Sequence, residues 1–324
     1  HTFANDPERG LFILVFLFSL IFLSLFVFIF FHKKEVNFNN SFSLISKETS
    51  ILINNWFMMY FLSVVLIGTV YPIFLDVISS EKISIGPPFY HKLIIPFLIP
   101  FLLAMAIGPK LKWIKSGLPD KLYLIVFFIL SVLLSIFIVK KLKIEFLINS
   151  VLISVVFYLF FITLRDFFIK KSSSFSQNIT HFGFSLFLLS IIFNNLFTSE
   201  VITNLKVGDT FKSEKFKIYF ENLDQKKEKN FQSIIGKFVV ENLNGEKEVM
   251  MPELRIYNQP NMVTSEAFIK TNFFSDKFMT MNLVQNQEYL NIRYQIKPLM
   301  IWIWISILMI TTGGLISLLR KNEN

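Results

Sequence analysis

The chain has 324 residues, of which 53% are hydrophobic and 41 are phenylalanine, with a mean hydropathy of +0.55; that is far too apolar for a soluble globular domain to cover with polar surface, so a multi-span membrane protein is expected. The formal net charge of +9 would point to nucleic acid in a soluble protein, but much of the lysine lies between apolar runs, as topology signals do, so nucleic acid is not expected as a partner. Cysteine is absent, which excludes a disulfide, a thiolate metal site and a thiol nucleophile within the chain.

The chain opens on HTFANDPERG, directly before an apolar run. His1 is a candidate metal or haem ligand at the membrane edge. The same stretch also reads as a polar cap, with Asp6 and Glu8 near a helix N-terminus and Pro7 fixing the turn into it. The start at His1 without Met, and without a charged region and cleavage site ahead of it, leads us to expect a fragment or the downstream half of a split protein.

Crossing a hydrocarbon core of about 30 Å takes about 20 apolar residues. The runs that qualify, or nearly so, are Leu11 to Phe31, Ile51 to Leu75, Leu93 to Ile107, Leu122 to Val139, Phe146 to Leu164, Phe182 to Phe197 and Leu299 to Leu319. The third and sixth are short and open to extension into their polar flanks. The expected fold is therefore a polytopic α-helical membrane protein of about seven spans, with a small extramembrane antiparallel β domain before the last span. The expected boundaries are 1–198 for six helices, 199–296 for the β domain and 297–324 for the final span.

With the opening decapeptide outside, alternation puts Lys33, Lys34 and Lys47 inside, followed by Lys110, Lys112, Lys115 and Lys121, by Arg165, Lys170 and Lys171, and by Arg320 and Lys321. That is the positive-inside pattern. Lys140, Lys141 and Lys143 fall on the other side, so either that hairpin is an exception or one span is miscounted. Trp302 and Trp304 stand at the outer end of the last span, where an aromatic belt is expected.

The outward connection from Asp76 to Lys92 contains IGPPFYHK. Proline stiffens the backbone and removes donors, and glycine permits a tight turn. A fixed loop is expected, with Phe89, Tyr90 and His91 at the membrane surface. Gly86, Pro87 and Pro88 are candidate cofactor contacts, although Gly-Pro-Pro is also an ordinary helix-to-helix turn.

From Ser199 to Ile296 the composition becomes polar. Lys215 to Phe220, Lys277 to Leu283 and Tyr289 to Ile296 alternate, while Phe231 to Asn242 and Glu246 to Met251 flank Asn244-Gly245, which favours a two-residue hairpin. These read as a small antiparallel barrel or sandwich. Without histidine, a phosphate loop or a triad, this domain is expected to bind or brace.

The histidines are His1, His32, His91 and His181. Neutral imidazole is the usual nitrogen ligand for haem iron, and polar groups within a bilayer are costly. His181 falls at the start of the sixth run, with Gly183 leaving room for a flat macrocycle. Span counting nevertheless puts that end of the helix inward. His32 and His91 read as interfacial residues.

HTFANDPERG, NNWFMM with IGTVYP, ISIGPPFY, ITHFGFSLFLLS, SEAFIKTNFFSDKF and KPLMIWIWISILMITTGGLISLL occur in this order. Together they resemble the CcmF family, the haem lyase subunit of the cytochrome c maturation system. The resemblance covers essentially the whole chain. It implies a protein of the bacterial or mitochondrial inner membrane, with its β domain on the periplasmic or intermembrane side.

It further implies a subunit or half of a haem lyase, which takes b-type haem in transit from a haem chaperone and presents it to apocytochrome c. There the thiols of a CxxCH sequence add to the two vinyl groups. His1 and His181 match the positions of two outward-facing histidines that ligate the haem in transit, so the resemblance implies that these two imidazoles meet across one porphyrin at the outer leaflet, and Arg9 is a candidate partner for its propionates. The family's tryptophan-rich segment and its pair of intramembrane histidines should lie upstream, which makes the upstream half of the protein and other maturation subunits expected partners. The competing readings are a docking half without haem chemistry and a transporter. Against the transporter, no internal repeat of broken spans and no charge near the centre of a span is present.

Overall fold

The computed structural model describes residues 7–31 (side chains from Gly10 onward), 43–79, 83–114, 122–169, 174–259, 261–284 and 289–319. The chain divides into two compact units, His1–Ser174 and Phe175–Asn324. Among the described residues seven helices are long and apolar enough to cross a membrane.

The first unit holds α1 (Pro7–Phe31), α2 (Lys47–Ser79), α3 (Pro87–Ile107), α4 (Leu122–Leu142) and α5 (Phe146–Phe168). In hydrocarbon the backbone must satisfy its own polar groups, which helices do even with Pro72 inside α2 and Pro96 and Pro100 inside α3. α2 and α3 interlock through aromatic rings. Trp56 and Tyr60 meet Phe97, and Phe57 and Phe61 meet Phe101 edge to face. α5 is the most enclosed of these helices, with an unbroken buried stretch from Ile153 to Leu159.

The start of α2, the end of α3, the start of α4 and the end of α5 are tied together by charge. Lys110, with its side chain only 2% exposed, pairs with Asp166. The Arg165 guanidinium lies 3.8 Å from the centre of the Tyr123 ring. Both Glu48 carboxylate oxygens accept the Ile114 N–H at 3.0 Å, and the Lys47 N–H donates to the Lys112 carbonyl at 3.0 Å. These contacts gather Lys47, Lys110, Lys112 and Arg165 at one end of the helices, as the alternation pattern requires. Seven such helices lie among the described residues, the number counted in the sequence, and the hairpin carrying Lys140, Lys141 and Lys143 joins α4 and α5 at their opposite ends. Lys143 takes the left-handed conformation (φ 54°) in that tight turn.

The second unit begins with α6 (Phe175–Phe197). It continues through β1 (Ser199–Leu205), β2 (Thr210–Lys212), β3 (Phe216–Lys227), β4 (Phe231–Asn242), β5 (Lys247–Met250), β6 (Glu253–Tyr257), β7 (Met262–Glu266), β8 (Phe268–Thr271), β9 (Ser275–Leu283) and β10 (Leu290–Pro298), and ends in α7 (Met300–Leu319). The strands form two antiparallel sheets, ordered β1-β10-β9-β8 and β2-β3-β4-β6-β7, with β5 beside β4. Alternate side chains such as Phe216, Ile218 and Phe220 face a core shared with Phe238, Met279, Met281, Ile292 and Tyr294. The β4–β5 turn has three residues, not two. The Asn242 N–H donates to the Glu246 carbonyl, and Gly245 takes a left-handed conformation (φ 77°).

Glu248 on β5 joins the two sheets. Lys277 on β9 donates to it at 2.6 Å, and Lys270 on β8 lies 3.3 Å away. Burial works to raise the Glu248 carboxyl, but the hydrogen bonds and charges of Lys277 and Lys270 outweigh it and hold the group below its ordinary value. A carboxyl depressed in the folded state stabilises the fold above its unfolded pKa, and that contribution is lost as pH falls through the folded value.

Two predictions arise from these ion pairs, both read as thermal unfolding of the full chain in detergent. Lys110→Met alone should cost roughly 3 kcal/mol, because it takes the closer of two cations, Lys110 and Arg165, from the largely enclosed Asp166 carboxylate, and Lys110→Met with Asp166→Leu should cost less than the sum of the single changes. Glu248→Gln should cost on the order of 2 kcal/mol at neutral pH. It should also remove part of the stability that the unaltered chain loses on acidification below the ordinary carboxyl value of 4.5.

Candidate functional site

α6 begins seven residues before the apolar run that marked it in the sequence, so His181 lies in its second turn and not at its start. Gln177, Asn178, His181 and Ser185 fall within about 100° of one another around the helix at 3.6 residues per turn. On this stripe Asn178 and Ser185 are buried, while Gln177 and His181 are half-buried. The Ser185 hydroxyl donates to the Phe182 carbonyl at 2.8 Å.

The roughly opposite face of α6 carries Ser176, Thr180 and Gly183, and α7 lies against it. The Ser176 hydroxyl donates to the Gly313 carbonyl at 2.6 Å. A Cβ added to Gly183 would stand 2.9 Å from Met309 Cβ and 3.1 Å from the Ser306 carbonyl. Small residues let membrane helices approach to backbone contact. The expectation that Gly183 leaves room for a macrocycle is therefore overturned, since α7 fills that space.

His181 is 16 residues from the end of α6 that leads into β1, an axial rise of about 24 Å. Its imidazole belongs to the part of the span farthest from the β domain. His1 lies outside the described residues, as does His32. Arg9 is in the first turn of α1, but its side chain is outside the described part.

Gly86, Pro87 and Pro88 are the N-cap and first positions of α3, and Phe89, Tyr90 and His91 continue that helix. The expected surface loop is a helix start, for which proline is suited because the first N–H groups have no partner within the helix. The Gly86 backbone is extended, and a Cβ there would meet Pro88 at an ordinary 3.6 Å, so nothing in the fold requires glycine. Tyr90 instead closes over Gly68, where a Cβ would fall 2.7 Å from its hydroxyl. Among the described residues no group of three His, Cys, Asp or Glu side chains could hold a metal ion.

The CcmF C-terminal β-sandwich family matches residues 196–298, the interval from the end of α6 to the end of β10. The cytochrome c-type biogenesis protein CcmF of Pseudomonas fluorescens is 30% identical over 337 residues, covering 99% of this chain and 50% of that protein. The chain is thus related to CcmF along nearly its whole length, and its β domain carries the CcmF C-terminal β-sandwich. Its CcmF relative in Escherichia coli strain K12 is 26% identical over 329 residues, 98% of this chain and 50% of that protein. The chain thus spans about half the length of the curated CcmF relatives it matches. A solved structure named cytochrome c heme lyase CcmF superposes with a TM-score of 0.64 at 18% identity, over 84% of this chain and 46% of that one. That likeness establishes the fold.

Single motifs conceal both faces of α6, which carry its polar residues and its contacts with α7. The signal that reveals them is angular: placing residues 174–190 at 100° intervals around a helix separates the polar stripe from the small-residue stripe.

Gly313→Ala would drive a Cβ into Thr180 Oγ1 and to 3.0 Å from the Ser176 carbonyl, and Gly183→Ala would crowd Met309 and Ser306. Each should lower stability by about 1–3 kcal/mol through overpacking. Gly314→Ala, which meets nothing within 4 Å, should leave the unfolding midpoint of the full chain unchanged or slightly higher.

Proposed function

We propose that this chain is the haem-holding part of a cytochrome c maturation lyase in the inner membrane, with its β domain on the periplasmic side. The observation that carries this reading is a half-buried imidazole, His181, beside the buried Asn178 and Ser185 on one face of a helix long and apolar enough to cross a membrane, in a chain related to CcmF. An ionisable side chain inside a span marks function by its cost. A haem iron asks only for an axial nitrogen, which a single imidazole supplies, whereas a cluster of protein ligands is not needed.

Thioether attachment adds each cysteine S–H across a vinyl group: a carbon–sulfur bond forms and the hydrogen goes to the other vinyl carbon. The reacting atoms belong to haem and apocytochrome, so the chain needs no nucleophile and its lack of cysteine is no obstacle. What the protein contributes is proximity and orientation. In this reading His181 and His1 are axial imidazoles, Arg9 faces the propionates, and the other partners are a haem chaperone, further maturation subunits and the remaining half of the protein.

The depth of His181 bears on how the two imidazoles are used. Alternation through the spans brings the start of α1 to the same face as the β domain. His181, about 24 Å of helix away from that face, then holds iron within the hydrocarbon, and His1 serves a separate iron at the surface.

His181→Gly and His1→Gly in the assembled complex should each remove a distinct haem absorption band, with partial recovery on adding imidazole. Loss of one common band in both variants would return the two residues to a shared iron. Unchanged spectra in both, with assembly on apocytochrome intact, would remove the ligand role and leave the docking reading.

A further inference from the structure

The turn between β8 and β9, Asn272 to Ser275, ends in two adjacent phenylalanines. Phe273 is 53% exposed and Phe274 71%. Their main chain is fastened to the start of α7. The Leu299 N–H donates to the Phe274 carbonyl at 2.9 Å and Trp302 Nε1 donates to the Phe273 carbonyl at 3.1 Å. The Trp302 and Phe273 rings meet edge to face at 4.9 Å.

These bonds fix the height of the turn. α7 begins at Met300 and is long and apolar enough to cross a membrane, so the phenylalanines stand level with its first turn. Tryptophan indoles concentrate at that level in membrane proteins because the ring is apolar and its N–H still finds a partner. Exposed Trp304 and Phe197, at the start of α7 and the end of α6, mark the same level. Asn194 Nδ2 donates to the Pro298 carbonyl at 2.7 Å and keeps these two helix ends together.

Lys270 and Lys277, three residues from the two rings along the hairpin, are held by Glu248. The half-buried Lys297 precedes the same junction, with its ammonium 5.2 Å from the Phe278 ring centre.

We propose that the β8–β9 turn is a membrane-interface anchor, with Phe273 and Phe274 seated in the phospholipid surface beside α7. The two carbonyls at the tip are already bonded to α7, so what Phe273 and Phe274 present outward is ring surface, which suits lipid, while the neighbouring exposed Asn272 can stay at the headgroup level. The β domain is then held at α6, at α7 and at this third point, which fixes its tilt over the bilayer. The inference is independent of haem binding.

The chain contains no cysteine, so Phe274→Cys provides a single thiol for an environment-sensitive fluorophore. The labelled full chain is placed in phosphatidylcholine nanodiscs, with Leu283→Cys at the far end of β9 as the aqueous control. At position 274 emission should shift to the blue and be quenched by lipids carrying a nitroxide near the headgroup, and not by aqueous iodide. At position 283 the reverse should hold. A position-274 probe that behaves like the control overturns the proposal. So does one shielded from both quenchers, which would signify a protein occupant. Phe273→Cys repeats the measurement if Phe274→Cys does not give folded chain.

Discussion

The second unit depends on two helices pressed together until a hydroxyl on one reaches the backbone of the other. Ser176 and Gly313 make that contact near one end, Gly183 and Ser306 continue it, and Asn194 and Pro298 close it beneath the β domain. In lipid, apolar burial does not drive helices together, so close packing of small residues and interhelical hydrogen bonds must do so. Because one face of α6 is committed to α7, the opposite face is left to carry Gln177, Asn178, His181 and Ser185. The pairing also fixes the ends from which β1 departs and to which β10 returns.

The first unit solves a different problem. At one end of its helices charged side chains form the ties, where Lys110 with Asp166 and Arg165 with Tyr123 bind neighbouring helices together. An enclosed ion pair offers little net stability compared with apolar packing but penalises any arrangement that separates its members. The arrangement therefore selects among similar apolar packings, which a phenylalanine-rich surface alone would not.

Much of the architecture was legible in the chain. The apolar runs correspond to helices because their lengths match the hydrocarbon thickness, and the limits of β4 match the stretch that leads into the Asn244-Gly245 turn, because that turn chemistry marks where the strand ends. β7 and β8 left no such trace, since they are short strands with mostly exposed side chains and no buried face to impose a period of two. The early starts of α3 and α6 were hidden for opposite reasons. In α3 two prolines looked like breakers but occupy the first turn, where their missing donors cost nothing. In α6 polar residues, among them the buried Ser176, Asn178 and Ser185, lowered the hydropathy of its first half.

The sequence by itself determined the membrane class, the seven membrane-length helices, the polar insertion before the last of them and the likeness to CcmF, because these rest on composition, run length and ordered motifs. It also singled out His181 as a costly residue. Only the tertiary structure decided that Gly183 serves α7, that Gly86 begins a helix, and that the Phe273–Phe274 turn reaches the first turn of α7. Each of those depends on which residues distant in the chain come within van der Waals or hydrogen-bond distance, and local patterning carries no information about that.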